Sequence, residues 1–327
     1  MRPILAALIR RLLLTLWMLA CAALPLAASP GEDGGALRLD DRPVDAFRAA
    51  PHVRVLRDPS GHLDLAQARE AVRAGRFEPR AGVISDGYTG DAYWLHLRVR
   101  PAAAAPSRWW LRLERGYLDD VRLHLVPPSG EPEPERRAGD RVVPAGALPL
   151  RVPAFEVTLE PGRESELFLR VRTGSAMMLP LALSPAARGE AAVPREYFVL
   201  GLFNGVSLIL VAASLFGLWR LRDRLYLWYA LFVVANALLW FAISGAMHLL
   251  VADLQPPWAD LAIAACVPMS GGLGLLMYGH LLRVPDHEPA LWRAMRGLVG
   301  VFLAASLAPL AGAGNHLTPW VMGLLVV

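Results

Sequence analysis

Trp94, His96, Arg98, Trp110 and Arg112 are the residues whose types and spacing best suit a ligand site. A flat aromatic ring stacks on the apolar face of a pyranose while neighbouring arginine or imidazole groups hydrogen-bond its hydroxyls. The five share one parity on two segments that read as neighbouring strands, so they would form one mixed aromatic and basic surface for a small molecule, carbohydrate in particular. The competing reading packs Trp94 and Trp110 in a core or under a loop. The histidines are a weaker set. His248, His280 and His316 fall near the ends of apolar runs, and His287 lies between Asp286 and Glu288. Their spacing matches no metal-ligand pattern such as H-E-x-x-H, so no metal and no other cofactor is expected. Gly271, Gly272 and Gly274 after Pro268 read as a close helix crossing or a kink, and no G-x-S-x-G sequence accompanies them, so no catalytic residue is expected.

Such candidates need a rigid support, and the hydrophobic periodicity provides one. Between residues 36 and 190, short alternating runs are separated by Pro, Gly and charged residues, with one helical candidate at Leu65–Arg73. Period-two alternation indicates half-buried antiparallel strands. Tyr93, Leu95, Leu97 and Val99 fall on one face, against Trp94, His96, Arg98 and Arg100 on the other. Trp109, Leu111 and Leu113 likewise oppose Trp110, Arg112 and Glu114. The pattern continues through Val121, Leu123 and Leu125, then Phe155, Val157 and Leu159, then Leu167, Leu169 and Val171. Several short strands at this spacing predict an all-β sandwich. Residues 101–106 and 127–141 read as connectors, the second a solvated loop rich in Pro, Gly, Glu and Arg.

The 327-residue chain is 55% hydrophobic with a mean hydropathy of +0.37, too apolar for an ordinary soluble protein and too charged in its first half for a pure membrane bundle. Net charge is +4 and every cationic side chain apart from histidine is arginine, spread through both halves. Nucleic acid is therefore not an expected partner, because that requires a concentrated basic surface. Residues 1–28 read as a signal peptide: Arg2, Arg10 and Arg11 precede a short apolar run, and Pro25 with Ala27-Ala28-Ser29 suits a signal peptidase. An uncleaved anchor is the alternative. The only cysteines, Cys21 and Cys266, lie in apolar runs, so the exported domain has no disulfide to form.

Residues 197–327 read as a transmembrane region in the lipid bilayer. Apolar runs at 197–219, 225–250, 261–282 and 298–312 predict four helices, and 319–327 begins a fifth. The membrane region is thus expected to be incomplete, as in a truncated chain. Arginines cluster in the loop 220–224 and again at Arg283, Arg293 and Arg296, whereas 251–258 and 313–318 have none. Arginine-bearing loops face the cytoplasm, which leaves the β domain on the exported side. Residues 188–195, with Pro194, would be a short linker resting the sandwich near the membrane. Asn204, Ser207 and Asn236 would hydrogen-bond between helices, and the Gly201-x-x-x-Gly205 spacing would serve a homodimer or packing within one bundle.

Several short sequences, in their order and spacing, carry a family resemblance. Tyr93-Trp94-Leu95, Leu113-Glu114, Leu118-Asp119-Asp120-Val121, residues 139–151 and 155–162, and Leu169-Arg170-Val171 leading to Leu179-Pro180-Leu181 resemble the type 2 extracellular domain (7TMR-DISMED2) of bacterial seven-transmembrane receptors with diverse intracellular signalling modules (7TMR-DISM). Tyr197, Gly201-Leu202-Phe203-Asn204-Gly205 and Leu221-Arg222-Asp223-Arg224-Leu225-Tyr226-Leu227-Trp228-Tyr229 resemble that family's first helix, first cytoplasmic turn and second helix. The resemblance covers almost all of the chain after the signal segment. It implies a jelly-roll-like periplasmic sensor domain that binds carbohydrate or another small solute, and a multi-pass helical region in the bacterial inner membrane. It also implies a cytoplasmic output such as a histidine kinase, a diguanylate cyclase or a phosphatase, absent from this chain, so that a separate cytoplasmic signalling protein is an expected partner. The chain itself would then be no enzyme. His96 stands where the family pattern suggests an arginine, which bears on any inherited ligand contact, and Ala213-Ser214 stands where a Tyr-Asn pair is usual. A different class, a polytopic transporter or membrane enzyme with an exported accessory domain, requires ionisable groups within the spans, and the spans hold almost none.

Overall fold

The computed structural model describes residues 35–80, 82–247 and 258–311. The signal segment 1–28 and the start of a fifth span at 319–327 lie outside the described residues. The first half forms twelve strands: β1 (Leu37–Leu39), β2 (Arg54–Asp58), β3 (Glu78–Pro79), β4 (Ile84–Tyr88), β5 (Ala92–Pro101), β6 (Arg108–Leu113), β7 (Asp120–Val126), β8 (Arg136–Ala138), β9 (Ala154–Thr158), β10 (Ser165–Arg172), β11 (Ala176–Leu179) and β12 (Leu181–Pro185). A large sheet runs β3-β2-β5-β10-β7-β8, with β1 added in parallel to the end of β5. A second sheet runs β12-β6-β9, and β4 pairs with β11. Leu95, Leu97, Leu167 and Leu169 of the large sheet share one core with Trp109, Leu111, Leu113, Phe155 and Leu183 of the second. This is the expected β sandwich.

Two short helices attach to it, α1 (Ala46–Ala49) and α2 (Leu65–Arg73). Helix α2 starts where its sequence dictates. Asp64 accepts from the Gln67 amide at 2.8 Å and the Gln67 side chain accepts from the Asp64 amide at 3.0 Å, a reciprocal cap. Its buried face is small, Ala68 and Ala71, so it can lie close against the outer face of the large sheet. There it forms a second core with Phe77, Trp94, Val126 and Phe168. Strand β5 is consequently buried on both faces, and the polar-out reading of Trp94 and His96 is overturned: their relative exposures are 1% and 4%.

The segment 127–141 is also not wholly a loop. β8 lies within it and pairs with β7 at the sheet edge. An edge strand needs partners on one side only, and charged side chains such as Arg136 and Arg137 are tolerated there.

The expected linker at 188–195 does not exist either. Helix α3 (Ala186–Leu221) begins directly after β12 and continues for 36 residues through Pro194. At ~1.5 Å rise per residue the helix is about 54 Å long, far more than the ~30 Å of a bilayer's hydrocarbon core. Its first turns therefore stand outside the lipid, packed on the sandwich. Helices α4 (Arg224–Ile243), α5 (Trp258–Leu281) and α7 (Pro289–Leu307), with the short α6 (Val284–His287) before the last, complete the described membrane region. Among the described residues, four helices, α3, α4, α5 and α7, are long and apolar enough to cross a membrane. Each packs on the next along the chain. Gly272 and Gly274 of α5 lie against Phe302 and Phe232 of the flanking helices, which is the close crossing read from the sequence. Asn204, Ser207 and Asn236 do not bond between helices; each donates to the carbonyl four residues earlier on its own helix. In an apolar medium that carbonyl is the acceptor always within reach.

Candidate functional site

The five candidate residues do not form one surface, because β5 and β6 belong to different sheets. Trp94, His96 and Arg98 stand on the outer face of the large sheet. Trp94 stacks on His124, with ring centroids 5.8 Å apart, and His96 packs on Phe168 at 4.6 Å, all beneath α2. Burial, which favours the neutral form, holds the His124 imidazole below its ordinary pKa despite the neighbouring Glu135. Neither Trp94 nor His96 presents a free ring face in this arrangement. The ring of His96 nevertheless lies 3.7 Å from Glu166, beside a more open rim in which Arg98 and Arg100 each lie 3.5 Å from Glu164. The side chains of that rim are between 31% and 53% exposed.

Trp110 and Arg112 stand instead on the outer face of the β12-β6-β9 sheet, where they hold the first turns of α3. A Cβ on Gly189 would come within 2.4 Å of the Trp110 ring, so the helix is seated directly on the indole. The indole N–H donates to Glu156 at 3.3 Å. The guanidinium of Arg112 is bound to the Glu196 carboxylate of α3 through two hydrogen bonds of 2.8 Å. This fork geometry is the strong form of the ion pair. Arg151 donates 3.2 Å to the same carboxylate and 2.8 Å to the Ser244 carbonyl at the end of α4. Gly245 follows with φ +76°, and a Cβ there would collide with the Arg151 carbonyl at 2.0 Å. Only glycine allows the end of α4 to approach the sandwich so closely.

A third contact reaches α5. Asp260 in its first turn accepts from Arg141 at 2.5 Å and from the Ser175 hydroxyl at 2.9 Å. Asp119 lies 3.3 Å from the same guanidinium and accepts from Thr173 and the Gly174 amide. Asp140 completes a group of three carboxylates, and Arg141 already supplies the cation among them. Gly139, at φ +141°, lets the backbone before Asp140 press against the Asp119 carbonyl, 2.3 Å from where a Cβ would be. Apolar contacts join these polar ones: Ala242, Ile263 and Val267 belong to the sandwich core, with Leu239, Ile243, Met247 and Ala262 packed on it. The sandwich thus grips α3, α4 and α5 together at the end opposite the arginine-rich turn at 220–224.

The sequence singled out Arg112 for another role and left Arg141, Arg151 and Glu196 unremarked. A signal was available. Glu196 is a carboxylate immediately before a long apolar run, and a charge there calls for a partner. Of the histidines, His280 sits between Trp228 and Trp292 and bonds the Leu276 carbonyl, His287 is exposed on α6, and His248 and His316 lie outside the described residues.

Two family models match the chain. One, described as 7TMR-DISM extracellular 2, matches residues 50–185, and the other, described as 7TM diverse intracellular signalling, matches residues 196–327. No curated protein matches it. The break between the two matches, 186–195, falls on the first turns of α3, where Gly189 sits on Trp110, and Glu196 opens the second match.

Proposed function

Given that this chain belongs to the 7TMR-DISM family, with an extracellular domain of the second type and the family's membrane region, we propose that it is a signal-transducing receptor of the bacterial inner membrane. Its sandwich lies in the periplasm and binds a small solute, carbohydrate by preference, and the helices carry the signal to a cytoplasmic output module or a separate signalling protein. The observation that carries this reading is the junction: the sandwich holds three helices through one continuous core and the Glu196 and Asp260 ion pairs. A receptor needs two states that its ligand binds unequally. A sandwich fused to α3 without a linker transmits any shift of β6 or β12 directly to the helix.

The solute surface in this reading is the polar rim of Arg98, Arg100, Glu164 and Glu166 beside His96, because charged forks and carboxylates there can pair with sugar hydroxyls. Trp110 and Arg112 serve the junction. A second copy would dock through the face of α3 bearing Gly201 and Gly205, where a Cβ would meet nothing within 4 Å. The test is to titrate the chain in nanodiscs with a panel of mono- and oligosaccharides while following hydrogen exchange. A binding sugar should protect residues 96–100 and 164–166 and alter exchange at 186–196 and 239–247. Arg98→Ala should weaken its affinity about tenfold, the equivalent of ~1.4 kcal/mol. Binding that leaves the helix ends unchanged would mark a passive binding module, and no binding by any sugar would remove carbohydrate as the ligand class.

A further inference from the structure

The end of the helical bundle away from the sandwich carries six arginines: Arg220, Arg222 and Arg224 between α3 and α4, Arg283 after α5, and Arg293 and Arg296 in the first two turns of α7. Ring contacts gather these segments in one place. The Trp228 ring of α4 lies 6.1 Å from that of His280 in α5, and the His280 ring lies 5.1 Å from that of Trp292 in α7. All six arginines are exposed, and among the described residues none of them makes an ion pair or a side-chain hydrogen bond. The carboxylates on these turns are Asp223, Asp286 and Glu288, and Asp223 is occupied in capping α4, where it accepts from the Leu225 amide at 2.9 Å. The backbone adds a second observation. Arg222 (φ 54°) and Arg283 (φ 52°) are the only non-glycine residues with positive φ among those described, one at the end of α3 and one after α5. Glycine takes this conformation freely, whereas a side chain with a Cβ is strained in it. The general preference for arginine on the cytoplasmic side does not account for arginine in left-handed backbone, so its presence at both turns points to a use for the side chain.

We propose that these arginines bind the phosphate groups of anionic phospholipids in the inner leaflet, fastening the far ends of α3, α4, α5 and α7 to the bilayer surface. The depth of the turns favours lipid over a soluble protein. If α3 enters hydrocarbon near Tyr197, about 20 residues at ~1.5 Å each cross its ~30 Å. Phe216 and Trp219, exposed rings with centroids 5.7 Å apart, then stand at the far interface, where tryptophan anchors a helix. The exposed Leu221, Leu281, Leu282 and Leu291 flank the arginines. Their apolar surface stays with the acyl chains and holds the guanidinium groups at headgroup depth. A guanidinium fork matches two phosphate oxygens at once, and basic clusters of this size beside spanning helices recognise anionic headgroups. Solute binding by the sandwich plays no part in this contact, so the lipid site and the receptor reading stand or fall separately.

The experiment presents the full chain in detergent with equimolar phosphatidylglycerol and phosphatidylcholine of the same acyl chains, and counts the lipids retained on the intact protein by native mass spectrometry. Phosphatidylglycerol should be retained severalfold over phosphatidylcholine, and raised salt during the incubation should erode that preference. The double variant Arg222→Gly, Arg283→Gly removes two charges while relieving the backbone. Its thermal midpoint in phosphatidylcholine nanodiscs should therefore hold or rise, while its lipid preference falls about fivefold per arginine. Equal retention of the two lipids by the unmodified chain, or a preference that salt leaves untouched, would overturn the proposal without reference to any variant. So would a preference unchanged in the double variant, or a lowered midpoint in neutral lipid, which would assign the two arginines to contacts within the protein. Displacement of phosphatidylglycerol by an equal concentration of inorganic phosphate would also overturn it, since the occupant would then be a soluble anion.

Discussion

The Glu196 carboxylate offers the sharpest test of how sandwich and helices are joined. In Glu196→Gln the Arg112 guanidinium loses a partner held by two 2.8 Å bonds, and the Arg112 side chain is only 10% exposed. Its Nε has no hydrogen-bond partner among the described residues, and Glu114 acts on the guanidinium only through its charge. Stripping one member from a fully buried pair costs ~3–5 kcal/mol, because the other charge is left in a poor dielectric. The Glu196 side chain is 29% exposed and water reaches part of the site, which brings the expected cost to about 2–3 kcal/mol, still above the ~0–1 kcal/mol of an ordinary surface pair. The assay is a double-mutant cycle with Arg112→Met, read from urea unfolding of the chain in detergent micelles. Glu196→Gln should destabilise more than Arg112→Met, since the methionine leaves no buried charge, and the two should couple by at least ~1 kcal/mol. Arg151→Met in a second cycle separates its 3.2 Å contact with the same carboxylate. Additivity within ~0.5 kcal/mol in the Arg112 cycle would show that the pair does not hold the junction.

Trp110→Ala removes an indole that is 5% exposed and on which α3 sits, and should cost ~3–5 kcal/mol; thermal unfolding checks this, and a loss under ~1 kcal/mol would mean that the helix is held elsewhere. Gly245→Ala should destabilise by more than ~1 kcal/mol, since it combines a positive φ with a 2.0 Å collision at the Arg151 carbonyl. Gly205→Ala, on an open helical face, should leave the unfolding midpoint of the monomeric chain unchanged or slightly raised.

The sequence by itself determined the class of each half and much of the local structure. Period-two alternation from Tyr93 to Val171 specifies strands because a pleated chain shows its side chains to two faces, and it placed Leu95, Leu97, Leu111 and Leu169 correctly in the core. The cap at Asp64 and Gln67 fixed α2, and the length and apolarity of 197–219 required a helix that crosses lipid. What alternation cannot say is what lies beyond a face. Trp94 and His96 share their parity with Arg98 and Arg100, which leaves an open ligand face and a covered Trp94 as alternatives, and the amphipathic α2, returning across that sheet, decides for the covered one. Nor does parity on two strands reveal their sheet, which is how Trp110 and Arg112 came to stand with α3 and not with Trp94. Residues 188–195 with Pro194 suggested a short linker, but propensity is a weak bias that packing of Gly189 on Trp110 and pairing of Glu196 with Arg112 easily outweigh. The junction was hardest to foresee, because its charges come from segments distant in the chain. Arg141 and Asp260 are separated by 119 positions and Arg112 and Glu196 by 84, and only the folded chain brings them within a hydrogen bond of each other.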